Sequence, residues 1–173
     1  TPPSRKRGVR QDEIDRLTLA FGLGDGLKAE TVFHRTGLAF LFAIETAMRS
    51  GEITALRWAD VHPRHVVVRE AKNGDDREVP LSSRAREILA TLPKEADTAF
   101  NLDNATRDVI FRRVRDRCKI TGLTFHDTRS EGLSRLSKRL DVMELARTTG
   151  HRDLKSLLIY YRADAAALSE RLD

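Results

Sequence analysis

Arg49, Lys72, His126, Arg129, His151 and Tyr160 are the residues of this chain whose types and spacing could together do chemistry on a phosphoryl group. They stand in four short islands: Ala47-Met48-Arg49-Ser50-Gly51-Glu52, Ala71-Lys72-Asn73-Gly74, His126-Asp127-Thr128-Arg129, and Gly150-His151 with Tyr160 nine residues further on. In-line attack on a phosphodiester needs positive charge on the non-bridging oxygens as the pentacoordinate transition state forms. Two arginines answer that need, because the guanidinium is a planar, permanently charged fork that grips two phosphate oxygens at once, which lysine imitates badly. Imidazole titrates near neutrality and can either donate to a phosphate oxygen or take a proton. A tyrosine hydroxyl, with a reference pKa of about 10, becomes a nucleophile only beside cations and a proton acceptor.

In this order and at these separations, the islands resemble the signature of the tyrosine recombinases of the phage integrase type: an R-x-G-E element, a hairpin lysine, H-x-x-R, G-H and a tyrosine. The resemblance spans roughly residues 11 to 173. It implies a mainly α-helical catalytic fold with a small antiparallel β-hairpin or sheet. It also implies site-specific DNA cleavage and rejoining through a covalent 3′-phosphotyrosine. In that scheme Arg49 and Arg129 hold the scissile phosphate, Lys72 protonates the departing 5′ oxygen, and Tyr160 is the nucleophile. His126 and His151 share phosphate contact and proton handling, in an order the sequence leaves open. Glu52, three residues after Arg49, either supports that guanidinium or is simply an acid at a helix start. Ser50 and Ser130 depart from the usual pattern without removing any of these groups.

The implied partner is double-stranded DNA. A homotetramer is expected on synapsed sites, a monomer for the isolated domain, and an accessory DNA-bending protein is compatible with the scheme. A phosphotyrosine conserves bond energy for rejoining, so neither ATP nor NAD is required. No phosphate-cradling glycine loop and no compact acidic cluster of the two-metal kind is present, and the expectation is chemistry without cofactor or metal.

Helical geometry offers a second reason to choose Tyr160 over Tyr161. Leu154, Leu157, Leu158 and Tyr161 form an i, i+3, i+4, i+7 stripe, which marks Tyr161 as core. Tyr160 then stands about 100° around the helix, free to face a site.

The elements that must position these groups follow from periodicity and turn chemistry. Residues 1 to 10 read as a basic linker or arm and residues 11 to 173 as one catalytic domain, the family's N-terminal core-binding domain being apparently absent. Helices are predicted from Gln11 to Gly22, from about Glu30 to Met48, and from Ile53 to near Trp58. His65 to Glu70 and Arg77 to Leu81 read as strands joined at Asn73-Gly74. Further helices are expected from a Ser82 or Ser83 cap to Leu92, from an Asn104 cap to about Lys119, and from His126 to Leu140. Asp141 and Glu144 have capping-box spacing, Gly150 closes that helix, and Asp153 caps the next. Ala165 to Leu168 with Leu172 can pack on a neighbouring protomer or on its own core.

The chain of 173 residues carries a formal charge of +5 and a pI near 9.7, which favours a polyanionic partner. Arg112, Arg113, Arg147, Arg152 and Lys155 are candidate DNA contacts, although the run around Arg112 also reads as a solvated helix face. The lone Cys118 cannot form an internal disulfide, no segment reads as a signal or membrane span, and a cytoplasmic, nucleoid-associated location in a prokaryote or from a phage is expected. Two rival readings are a type IB topoisomerase and a helix-turn-helix regulator built on Val142 to Tyr161.

Overall fold

The computed structural model describes residues 7–70 and 75–173. The expected hairpin turn Asn73-Gly74, and Lys72 with it, lie outside the described residues.

Eight α-helices and one two-stranded sheet make up the described fold. They are α1 (Gln11–Ala20), α2 (Val32–Thr46), α3 (Ser50–Ala55), β1 (His65–Val68), β2 (Arg77–Pro80), α4 (Ser83–Thr91), α5 (Asn104–Arg117), α6 (Asp127–Ser137), α7 (Val142–Thr149) and α8 (Ala165–Glu170). Single 3-10 turns occupy Trp58–Asp60, Leu154–Ser156 and Leu158–Tyr160.

α2 is apolar nearly all round, and such a helix can satisfy its surface only at the centre of a fold. Leu38, Ala39, Phe40, Phe42 and Ala43 are fully buried, and α3, α4, α5 and α6 pack against it. The Phe40 ring meets Phe21, Phe111 and Phe125 at centroid distances of 6.3, 5.8 and 6.2 Å, which joins α1, α5 and the approach to α6 in one core. A second, smaller apolar cluster gathers Ala47, Leu133, Leu145, Ala146 and Leu157, with Tyr160 and Tyr161 packed on it. The sheet is antiparallel, with His65 opposite Pro80 and Val68 opposite Arg77.

The helix caps explain most boundaries. Ser82 accepts from the Ala85 amide, and Asp141 and Glu144 close a reciprocal box at α7. At α5 the cap is Asp103, whose carboxylate accepts from Thr106 at 2.7 Å, and not Asn104. Asn104 instead receives the Thr54 hydroxyl at 2.6 Å.

α3 stops at Ala55 rather than near Trp58 because the chain turns extended at Leu56, where Trp58 N donates to Asp97 O and Arg57 pairs with Thr98. β1 ends at Val68, short of Glu70, whose amide is taken by the Asp76 carboxylate. α6 ends at Ser137, as tight turns through Leu140 close it.

The largest departure lies after Asp153. That residue does cap, accepting from Lys155, but it opens a pair of 3-10 turns with i to i+3 bonds, not an α-helix. A period near three brings Tyr160 into line with Leu154 and Leu157, and it leaves Leu158 52% exposed. The expected α-helical stripe through Tyr161 is therefore not formed. The helix-turn-helix reading fails with it, because no second helix comes after α7 within that segment.

α6 and the end of α2 approach very closely at Gly132, where an added Cβ would lie 2.8 Å from Ala47 Cα and 2.9 Å from Ala47 Cβ. Backbone cannot yield as a flexible side chain can. Gly132→Ala is expected to cost about 1–3 kcal/mol through forced overpacking, read as a Tm lower by roughly 2–12 °C in thermal unfolding. An unchanged Tm would contradict this packing.

Candidate active site

Arg49 lies in extended conformation immediately before α3, where its amide donates to Glu52 Oε1 at 2.9 Å. Its guanidinium stands 3.5 Å from Glu52 Oε2 and is 48% exposed, so one face of the fork is available to solvent. Glu52 thus both closes the first turn of α3 and steadies Arg49, which combines the two readings that the spacing left open.

Glu52 has a stronger partner that the sequence reading missed. Arg77 Nη1 and Nη2 donate to its two oxygens at 2.8 and 2.7 Å, while Nη1 also reaches Glu70 at 3.1 Å and Nε donates to Thr148 O at 2.9 Å. One buried side chain therefore ties β2 to α3 and to the end of α7. The signal was present in the alternation of β2: Arg77 occupies the same inward face as Val79, where an apolar residue is the norm. Burial alone raises the Glu52 carboxyl, but the hydrogen bonds from Arg77 and the Arg49 amide outweigh it and hold the group below its usual range.

Arg129 is 6% exposed. Its fork donates to Ala47 O at 2.7 Å and to Thr149 O at 3.2 Å, so its partners are backbone carbonyls rather than a carboxylate. Ala47 can offer that carbonyl because it ends α2 in the left-handed region, at φ 57°. Burial, followed by repulsion from Arg49, pushes the Arg129 guanidinium down to about 10, with Arg77 adding to the repulsion and Glu52 and Tyr160 opposing it. It remains cationic at neutral pH, a buried positive charge in want of an anion.

Gly150 ends α7 with φ 77°, and this turns His151 back toward the arginines. His151 Nδ1 lies 2.6 Å from the Thr149 hydroxyl. Desolvation first, then the charges of Arg129, Arg49 and Arg77, push the imidazole down to about 4.

This lowered value predicts a pH effect on folding. With the folded imidazole near 4 and the free one near 6.5, the unfolded chain binds the proton more readily between those values. The contribution to stability is constant above about 6.5 and is lost as pH falls through that window. His151→Gln is expected to flatten this part of the profile in urea unfolding at pH 5 and 7. The same wild-type minus variant difference at both pH values would argue against it.

Arg49, Glu70, Arg77, Arg147, His151 and Arg152 line an open cleft of about 460 Å³ between the β-hairpin base and the end of α7. Tyr160 and His126 stand outside that lining. Tyr160 Oη is 3.5 Å from the hydroxyl of Ser130, the residue that follows Arg129 on α6. Tyr161 is committed elsewhere: its hydroxyl donates to Leu140 O at 2.7 Å, and burial with the nearby charges of Asp141 and Glu144 raises its pKa. His126 is exposed at the head of α6, its carbonyl accepting the Arg129 amide. Of the candidate DNA contacts, Arg147 and Arg152 border the cleft, whereas Lys155 on the following turn and Arg112 and Arg113 on α5 are exposed outside it.

Guanidinium groups gathered from α6, β2 and the start of α3 make a cationic site suited by charge to an anion. Residues 9–167 match the phage integrase family model, and the chain belongs to that family. It is 42% identical over 179 residues to a shufflon-specific DNA recombinase of Escherichia coli, covering 98% of this chain and 43% of that protein. It is 39% identical over 175 residues to an integrase/recombinase of Haemophilus influenzae, covering 98% and 57%. The chain thus spans about half the length of the curated relatives it matches.

Among solved structures, the catalytic domain of bacteriophage HP1 integrase superposes with a TM-score of 0.74 at 19% identity, over 97% of this chain and 94% of that one. A lambda integrase dimer bound to a COC′ core site gives 0.74 at 19%, over 94% and 49%. The fold is that of the tyrosine recombinase catalytic domains. Among the described residues, no helix is long and apolar enough to cross a membrane.

Proposed function

We propose that this chain is the catalytic part of a site-specific DNA recombinase that works through a covalent 3′-phosphotyrosine. The observation that carries the reading is Arg129: a buried cation held by backbone carbonyls and repelled by Arg49, with Tyr160 Oη 3.5 Å from the hydroxyl of the neighbouring Ser130. A phosphodiester seated there supplies the missing negative charge.

Arg49 and Arg129 neutralise the non-bridging oxygens, and Tyr160 Oη attacks phosphorus. The bond to the 5′ oxygen breaks as the phosphotyrosine bond forms. Lys72 gives its proton to the leaving oxygen, and a histidine takes the phenol proton. Rejoining reverses the steps with a 5′ hydroxyl of the partner strand, so the energy of the broken bond is retained and metal is not required. Arg147, Arg152 and Lys155, with Arg112 and Arg113 further out, grip the DNA backbone, which makes affinity fall with salt. A tetramer on two synapsed duplexes, aided by a DNA-bending protein, completes recombination in the bacterial cytoplasm.

The test is incubation in EDTA with a randomised library of nicked duplexes, followed by denaturing gels. Wild type is expected to give a detergent-stable protein–DNA band that Tyr160→Phe lacks. No band from either protein, with DNA binding intact, would count against cleavage chemistry.

A further inference from the structure

Hydroxyl side chains within the helices of this chain are commonly spent on the backbone. Thr18, Thr36, Thr46, Thr128 and Thr149 each donate to a carbonyl three or four residues back, at 2.7 or 2.8 Å. Ser130, half-buried on α6, does otherwise: its hydroxyl faces Tyr160 Oη at 3.5 Å. The phenol is equally uncommitted to backbone, in contrast to Tyr161, whose hydroxyl donates to Leu140 O at 2.7 Å. Two hydroxyls, each able to donate and to accept, thus stand opposite one another beside Arg129.

They are held with unequal firmness. Successive residues of a helix point about 100° apart, and those on either side of Ser130 are both tied down. Arg129 donates to Ala47 O and Thr149 O, while Glu131 accepts the Val9 amide at 3.1 Å and Arg135 Nε at 2.9 Å. Gly132 then packs α6 directly on Ala47. Tyr160, by comparison, ends a pair of 3-10 turns, whose hydrogen-bond geometry is poorer than that of an α-helix. The fixed turn of α6 can therefore place the phenol, and the reverse is excluded.

We propose that Ser130 is a positioning residue for Tyr160, keeping the phenol oxygen against the turn of α6 that carries Arg129. This rests on the recombinase reading for its catalytic part only. A hydroxyl suits the task because it serves both states of the nucleophile. It accepts a hydrogen bond from the neutral phenol and, by rotating its own hydrogen, donates to the phenol oxygen once that proton has left, without movement of either oxygen. The 3.5 Å separation is long for such a bond, as contacts in a substrate-free active site often are before substrate draws them together. Ser130, a departure from the usual pattern in the sequence, thereby acquires a use.

Carbon-13 spectra of protein labelled at Cζ of its two tyrosines report the hydrogen bonding of each phenol, with Tyr160→Phe assigning the signals. Without DNA, Ser130→Ala is expected to move the Tyr160 signal and leave that of Tyr161 in place. Ser130→Thr, which retains the hydroxyl, is expected to return it. On nicked duplexes at saturating concentration, Ser130→Ala is expected to cleave at least about threefold more slowly, the scale of one hydrogen bond between neutral groups. DNA affinity and Tm should stay as in wild type, and Ser130→Thr should recover the rate. A Tyr160 signal unmoved in Ser130→Ala overturns the proposal, as does a smaller loss of rate or an equal loss in Ser130→Thr. Wild type without cleavage overturns the recombinase reading, whereas the spectra decide the contact between Ser130 and Tyr160 independently.

Discussion

Arg129→Lys is expected to slow single-turnover DNA cleavage by at least about a hundredfold, the scale on which loss of one preorganised charge stabiliser acts. Two losses combine. The fork that bonds Ala47 O and Thr149 O while still facing a phosphate becomes a single point of charge that cannot do all three. The replaced group is also easier to discharge: burial and the charges of Arg49 and Arg77 already push the guanidinium down to about 10, and an ammonium starts from a lower reference. Residual cleavage in this variant should therefore weaken further as pH rises from 7 to 9, where wild type does not lose charge at this position. Cleavage within about threefold of wild type would remove Arg129 from the reaction.

Arg77→Met is the second large expected effect, this time on the fold that carries the site. The Arg77 side chain is 7% exposed and Glu52 14%, so the substitution strands a largely enclosed carboxylate. Breaking such a pair from one side costs about 3–5 kcal/mol, which for a domain of this size lowers Tm by roughly 6–20 °C. Glu52 retains only the Arg49 amide and a looser contact with its guanidinium, so cleavage should fall as well, through misplacement of Arg49. Glu52→Gln in the Arg77→Met background removes the stranded charge and should recover part of the stability without recovering cleavage. A Tm within about 2 °C of wild type in Arg77→Met would show that the pair contributes little.

These effects bear on how much of the molecule its sequence discloses. Helices α4 and α7 are legible because capping residues and apolar period agree, as with Asp141 and Glu144 around α7, whereas α1 and α2 are legible from apolar spacing alone. The islands proposed as catalytic are legible because phosphoryl chemistry calls for these residue types.

Arg77 is not, since an inward arginine on a four-residue strand makes sense only once Glu52 is seen to stand opposite it. The segment carrying Tyr160 is ambiguous for a related reason. Leu154, Leu157, Leu158 and Tyr161 fit a period of 3.6, but Leu154 and Leu157 with Tyr160 fit a period of three, and the small cluster around Leu145 and Leu133 selects the second. Tyr161 does pack on that cluster, but its place is not set by an α-helical stripe. Its hydroxyl is held by the Leu140 carbonyl, a contact made 21 positions away in the chain.

The central claim is tested most directly by locating the DNA on the protein. A covalent complex trapped on a nicked duplex, digested with trypsin and nuclease, leaves a nucleotide on the peptide of residues 156–162, which contains both tyrosines. Fragmentation in tandem mass spectrometry is expected to place the phosphate on Tyr160. A phosphate on Tyr161, or on a residue outside this peptide, would contradict the assignment of the nucleophile and the site built around it.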